Sequence, residues 1–109
     1  MQLYLSSDRP EALNLAQAYL EKTLETGAWK REKEDGANKA EYKISLPDAA
    51  AEALLNQLLA LSPDLDIRAT LIYDLEGRDR SFWGSAQYQS AADENGKRYF
   101  KVSTTTGWA

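Results

Sequence analysis

Residues 65–75, LDIRATLIYDL, decide the fold of this chain. Apolar side chains occupy every second position of the stretch, and the positions between them are polar apart from Ile72. Alternation with a period of two predicts a β-strand with one face on a core and the other face mostly polar. The stretch therefore indicates a sheet that other elements cover on one side.

Two more segments with β-strand character follow this strand. Residues 81–90 form the first of them, and residues 99–106 are rich in threonine, valine and aromatic residues, which suit a pleated surface. Asn95-Gly96 lies between the two segments and is a strong signal for a hairpin turn. The last third of the chain is therefore predicted to be a β-meander, and it holds seven of the eleven aromatic residues.

Upstream, a short strand over residues 2–6 is followed by a first helix. Residues 7–11 carry its start signals, with Asp8 as a capping residue and Pro10 in the first turn, where its missing N–H costs nothing. Apolar residues then recur at helical spacing: Leu13, Ala16, Leu20 and Leu24. Gly27 is predicted to end this helix.

A second helix follows an alternating strand over residues 40–46. Residues 45–48 have the spacing of a capping box with a proline in the first turn, and Ser62-Pro63 ends the leucine-rich helix. Before the strand, residues 29–34 are dense in charge. They fit either an edge strand, where charges discourage unwanted strand addition, or a flexible loop.

The predicted element order is β-α-β-β-α-β-β-β, in one α+β domain that spans residues 1–109. Its first six elements match a ferredoxin-like, split βαβ sandwich, in which two helices cover one face of an antiparallel sheet. The last two strands extend this core as a C-terminal meander. One face of the sheet is then left bare, and the polar positions of residues 66–74 are expected to lie on it.

Composition limits the classes of function. The 109 residues fit one domain, and the 43% hydrophobic and 28% charged fractions are those of an ordinary soluble globular protein. No apolar run approaches the roughly 18 residues of a membrane span, and no signal-peptide pattern is present, so a cytoplasmic protein without a membrane partner is expected. The absence of cysteine excludes disulfides and thiolate chemistry.

The net charge of −4 is unevenly spread. Residues 1–66 hold twelve acidic residues against seven basic ones, whereas residues 67–109 hold five against six. Nucleic-acid binding is not expected, because phosphate affinity comes mainly from basic side chains and the 81–88 segment lacks the signature of RNA-binding sheets. An acidic surface of this kind suits either solubility alone or a basic protein partner.

Catalytic groups are scarce. Without histidine or cysteine the chain lacks the commonest bases and transition-metal ligands, so no metal and no cofactor is expected. Three carboxylate pairs remain: Asp64 with Asp66, Asp74 with Glu76, and Asp93 with Glu94. Each pair lies beside a predicted turn, where acidic residues commonly cap backbone groups. The chain is therefore predicted not to be an enzyme, and catalysis by carboxylates is the weaker interpretation.

The aromatic residues of the meander form the candidate site. The most economical register buries Phe82, Tyr88, Phe100 and Val102 under the helices and leaves Trp83, Tyr99 and Ile72 on the open face. Aromatic side chains among small polar groups and arginines have the composition of a protein-binding hot spot. The predicted protein-binding residues are Trp83, Tyr99, Phe82, Arg80, Arg78, Arg68 and Ile72, with Phe82 included although the register favours its burial. The alternative is that these rings pack on one another or beneath the C-terminal tail.

In size, acidity and lack of catalytic groups, the chain is similar in kind to the small bacterial immunity proteins, which neutralise toxins by tight binding. The expected function is that of a non-catalytic inhibitor or immunity-type module with a protein partner such as a basic toxin or enzyme. The alternative is a structural or adaptor subunit that forms a homodimer through the open sheet or an edge strand.

Overall fold

The computed structural model describes residues 1–34, 38–73 and 82–108. Within these three ranges, two helices and six strands follow one another in the predicted order. They are β1 (Gln2–Ser6), α1 (Pro10–Thr23), β2 (Trp29–Glu34), β3 (Lys39–Ile44), α2 (Asp48–Leu61), β4 (Asp66–Tyr73), β5 (Phe82–Ala92) and β6 (Arg98–Trp108). The α+β class and the element order predicted from the sequence are confirmed.

The six strands form one antiparallel sheet in the order β2-β3-β1-β4-β5-β6. Strands β1 to β4 have the arrangement of the split βαβ sandwich, since β3 lies between β1 and β2, and β4 lies on the other side of β1. The β5–β6 hairpin extends this core beyond β4. Both helices lie on the same face of the sheet, which leaves the opposite face open.

The core lies between the helices and the central strands. Every second residue of these strands is buried: Leu3 and Leu5 on β1, Ala40, Tyr42 and Ile44 on β3, and Ile67, Ala69 and Leu71 on β4. The helices contribute apolar residues at helical spacing, among them Leu13 and Leu20 of α1 and Leu55 and Leu58 of α2. Each fully buried aliphatic side chain of this kind stabilises the fold by roughly 1.5–3 kcal/mol.

Pro10 opens α1 as the sequence predicts, but neither helix has the predicted side-chain cap. Arg9 occupies the N-cap position of α1, so Asp8 lies one residue too early to cap it, and the Ser7 hydroxyl accepts a hydrogen bond from the N–H of Arg9 at 3.0 Å. Pro47 occupies the N-cap position of α2, so the predicted capping box is absent, and Ser45 lies just beyond β3, where its N–H donates to the carbonyl of Ala28 at 2.7 Å. Both predicted capping residues, Asp8 and Ser45, therefore lie before the N-cap position of their helix.

The end of α1 also differs from the prediction. The helix ends at Thr23, and the N–H of Leu24 donates to the carbonyl of Leu20 at 2.9 Å. Gly27 has a φ of +97° and belongs to a separate turn, which is closed by a hydrogen bond from Ala28 to Glu25. Glycine adopts this backbone conformation without steric cost, so the residue serves the entry into β2 and not the helix end.

The charged segment 29–34 is an edge strand, so the loop interpretation is wrong. Trp29 and Arg31 pair with Ile44 and Tyr42 of β3, and the register shifts between Arg31 and Lys33. Arg31 turns toward the helices and donates to the Gln17 side chain of α1 at 2.6 Å. Strand β2 is therefore fixed to α1 as well as to β3.

Candidate protein-binding face

The candidate site is the face of the sheet opposite the helices, which we call the open face. Residues directly opposite one another in an antiparallel pair share a face, so the strand register fixes its composition. One row of facing residues runs across five strands: Glu41 of β3, Tyr4 of β1, Arg68 of β4, Gln89 of β5 and Lys101 of β6. This central row combines one aromatic residue with charged and amide side chains.

A second row lies beside the central row and is polar throughout. It consists of Lys43, Gln2, Thr70, Gln87 and Ser103. The whole central row, together with Thr70, Gln87 and Ser103 of the second row, lines part of a groove of about 940 Å³. Most side chains that line the groove are polar or charged, so it suits a protein surface better than a small apolar ligand.

Among the side chains that the structure describes, three large apolar ones are exposed on the open face. Tyr4 is 40% exposed, Tyr99 is 41% exposed and Ile72 is 74% exposed. Strand spacing and rise place Tyr4 roughly 14 Å from Ile72 and 16 Å from Tyr99, and the last two roughly 22 Å apart. All three fit within a contact area of about 800 Å², the size that one partner contributes to an ordinary protein–protein interface.

The predicted exposure of Tyr99 and Ile72 is confirmed, and Arg68 is also exposed on the open face. For Phe82 and Trp83 the structure gives only the strand register, opposite Trp108 and Gly107. Their side chains lie outside the described part of the molecule, as do Arg78 and Arg80 entirely. Binding through any of the seven residues stays a prediction.

Tyr4 is the residue that sequence reasoning missed. It lies between Leu3 and Leu5, both buried, so alternation alone places its ring on the opposite face. Its importance comes from the strand order, because β1 lies between β3 and β4 and Tyr4 therefore stands between Glu41 and Arg68. The alternation was visible in the sequence, but the central position was not.

The helix-facing side of β5 and β6 agrees only in part with the predicted register. Tyr88 and Phe100 are half-buried and pack edge to face, with ring centroids 5.9 Å apart, and the Tyr88 hydroxyl donates to Glu52 of α2 at 3.0 Å. Val102, which was predicted to be buried, is 51% exposed. The reason is its place on β6, which lies two strands beyond β4, the strand against which α2 mainly packs.

Charge is divided between the two layers. The two helices carry four acidic residues and one basic residue. The described side chains of the open face have a basic surplus, with Lys30, Lys39, Lys43, Arg68 and Lys101 against Glu32, Glu41 and Asp66. Of the twelve acidic residues in residues 1–66, four therefore lie on the helices, whereas Glu32, Glu41 and Asp66 share the open face with Tyr4.

The carboxylate pairs have local roles where the structure describes them. Asp93 accepts hydrogen bonds from the N–H groups of Asn95 and Lys97 at 2.9 and 2.8 Å, which stabilises the β5–β6 turn. Asp64 lies 3.6 Å from the guanidinium of Arg9. Asp74 and Glu76 lie outside the described residues. Within residues 1–34, 38–73 and 82–108, no group of three or more acidic side chains is placed to hold a metal ion.

Comparison of the chain with protein-family models, with curated proteins and with solved structures finds no match. In the described part of the chain, neither α1 nor α2 has the length and apolar character that crossing a membrane requires. The geometry and chemistry of the open face are therefore the basis for assigning a function.

Proposed function

We propose that this protein is a non-catalytic protein-binding module, of the inhibitor or immunity type, that contacts its partner through the open face. The observation that carries the proposal is the exposure of Tyr4, Ile72 and Tyr99 on a sheet face opposite both helices. A partner that covers these side chains removes apolar area from water, which is the main favourable term in protein association.

The three side chains suit this task in different ways. Ile72 loses the most contact with water on binding, because three-quarters of its surface is exposed. Tyr4 and Tyr99 each combine a large apolar ring with a hydroxyl that hydrogen-bonds at a wet interface, and tyrosine is enriched among residues that dominate binding energy. The polar and charged residues around them form the rim that such contacts require.

The charges of the open face define the partner surface that fits it. Arg68 and Lys101 belong to the central row, with the neutral Gln89 between them. Carboxylates on the partner would form charge-assisted hydrogen bonds with these two residues. A basic toxin or enzyme remains part of the proposal, with its overall charge attracted by the net charge of −4 of the chain and its acidic contact residues facing Arg68 and Lys101.

Affinity capture with matched variants tests the proposal. The baits are the wild-type protein, Ile72→Ser and Tyr4→Ala on the open face, and Leu15→Ser as the control, because Leu15 is 47% exposed on α1. We expect a protein from the native host that wild type and Leu15→Ser retain equally. Both open-face variants should bind that purified partner at least about tenfold more weakly. Equal binding by all four baits contradicts the proposal.

A further inference from the structure

The two edge strands of the described sheet differ in how they are protected. Strand β2 is dense in charge and has a register shift between Arg31 and Lys33, both of which discourage strand addition. Strand β6 spans 11 residues and pairs with β5 in one unbroken register. Its only charged residues are Arg98 and Lys101, and it contains no proline. Strand β6 is therefore the unprotected edge.

The hairpin turn fixes which backbone groups of β6 point outward. The N–H of Asp93 donates to the carbonyl of Lys97 at 2.9 Å, so these two residues are a hydrogen-bonded pair of the β5–β6 hairpin. Hydrogen-bonded and non-bonded pairs alternate along an antiparallel ladder. The odd-numbered residues of β6 therefore bond to β5, and the N–H and C=O groups of Phe100, Val102, Thr104 and Thr106 point away from the sheet.

We propose that β6 is a dimerisation strand that pairs antiparallel with β6 of a second copy of this chain. The register that overlaps the whole strand has its two-fold axis at Ser103, so Val102 faces Thr104 of the second copy. The outward groups of 100, 102, 104 and 106 then exchange roughly eight hydrogen bonds. The result is one continuous sheet of twelve strands, and both open faces remain exposed.

Three observations favour a second copy as the occupant of this edge. The proposed register places Lys101 opposite Thr105 of the second copy, so no like charges face each other directly. Val102, which is 51% exposed, gains a cross-strand neighbour in Thr104. The assembly also stops at two chains, because the edge strands of the joined sheet are then the two protected β2 strands.

The first test removes one outward donor. Thr104→Pro deletes an N–H that does not bond to β5, which an edge strand tolerates, whereas Thr104→Ala keeps that N–H. Sedimentation velocity should show wild type and Thr104→Ala at twice the mass of one chain. Thr104→Pro, with folding checked by circular dichroism, should dimerise roughly thirtyfold more weakly because two hydrogen bonds are lost. The proposal is overturned if wild type sediments as a single chain at all concentrations, or if Thr104→Pro dimerises as well as wild type.

The second test is specific for the register and applies even where the proline variant fails to fold. Ser103→Glu brings two carboxylates face to face across the two-fold axis, so it should weaken the dimer about fivefold. Thr105→Glu adds the same charge opposite Lys101 of the second copy and should leave the dimer intact or tighter. Equal effects of the two substitutions contradict this register.

Ile72→Ser should still dimerise and Thr104→Pro should still capture the partner, so failure of this inference is distinguishable from failure of the proposed function.

Discussion

Arg98 shows how a single side chain ties the meander to the helical layer. From the first position of β6 its guanidinium donates to the carbonyls of Leu59, at 3.4 Å, and of Ser62 and Leu65. The last carbonyls of a helix lack partners within the helix, and α2 has no basic residue in its last turn. Arg98 therefore supplies both the hydrogen bonds and the positive charge that the C-terminus of α2 needs.

Replacing this residue should destabilise the fold. Arg98→Ala removes the side-chain donor to the carbonyls of Leu59, Ser62 and Leu65, and we expect the free energy of unfolding to fall by about 2–3 kcal/mol. Urea denaturation gives this value from the shift in midpoint at constant slope. Lys97→Ala, one residue earlier and exposed, is the control and should change stability by less than about 0.5 kcal/mol. An equal loss in the two variants would show that Arg98 does not stabilise α2.

At the scale of elements, the β5–β6 hairpin depends on its turn. The carboxylate of Asp93 accepts two backbone hydrogen bonds, and Gly96 adopts a φ of +79° that an L-residue with a side chain rarely adopts. We expect Asp93→Ala to lower the free energy of unfolding by about 1–2 kcal/mol, because both N–H groups lose their acceptor. Glu94→Ala should be nearly neutral, since Glu94 is exposed in the same turn. Thermal unfolding of the two variants separates these outcomes, and equal midpoints would contradict the role assigned to Asp93.

Sequence periodicity was sufficient to predict the elements but not all of their boundaries. Alternation along residues 66–73 and the leucine spacing of α2 reflect burial, which a local pattern records directly. Capping depends on the residue at which a helix begins or ends, so Asp8, Ser45 and Gly27 do not cap the helices as predicted. The exposure of Val102 was missed for a related reason: alternation gives the face of a residue but not how far the helices extend over that face.

At the scale of the whole molecule, the strand order converts separate segments into one candidate surface. Tyr4 and Tyr99 are far apart in sequence, yet the order β1-β4-β5-β6 places them three strands apart on the same face. Ile72 and Arg68 could be placed on that face from alternation alone. The division of charge between an acidic helical layer and a mildly basic open face could not, because it depends on which residues of β1, β3 and β6 become neighbours.

The central claim is that a partner protein covers the open face and not the helices. Methyl cross-saturation tests it directly, with the chain deuterated except for its isoleucine and leucine methyl groups and bound to the unlabelled partner from affinity capture. Ile72 is 74% exposed, whereas the other two isoleucines, Ile44 and Ile67, are buried. The claim predicts that irradiation of the partner attenuates the Ile72 methyl signal and leaves the Leu15 methyl signals of α1 unchanged. Attenuation of Leu15 with no change at Ile72 would contradict it.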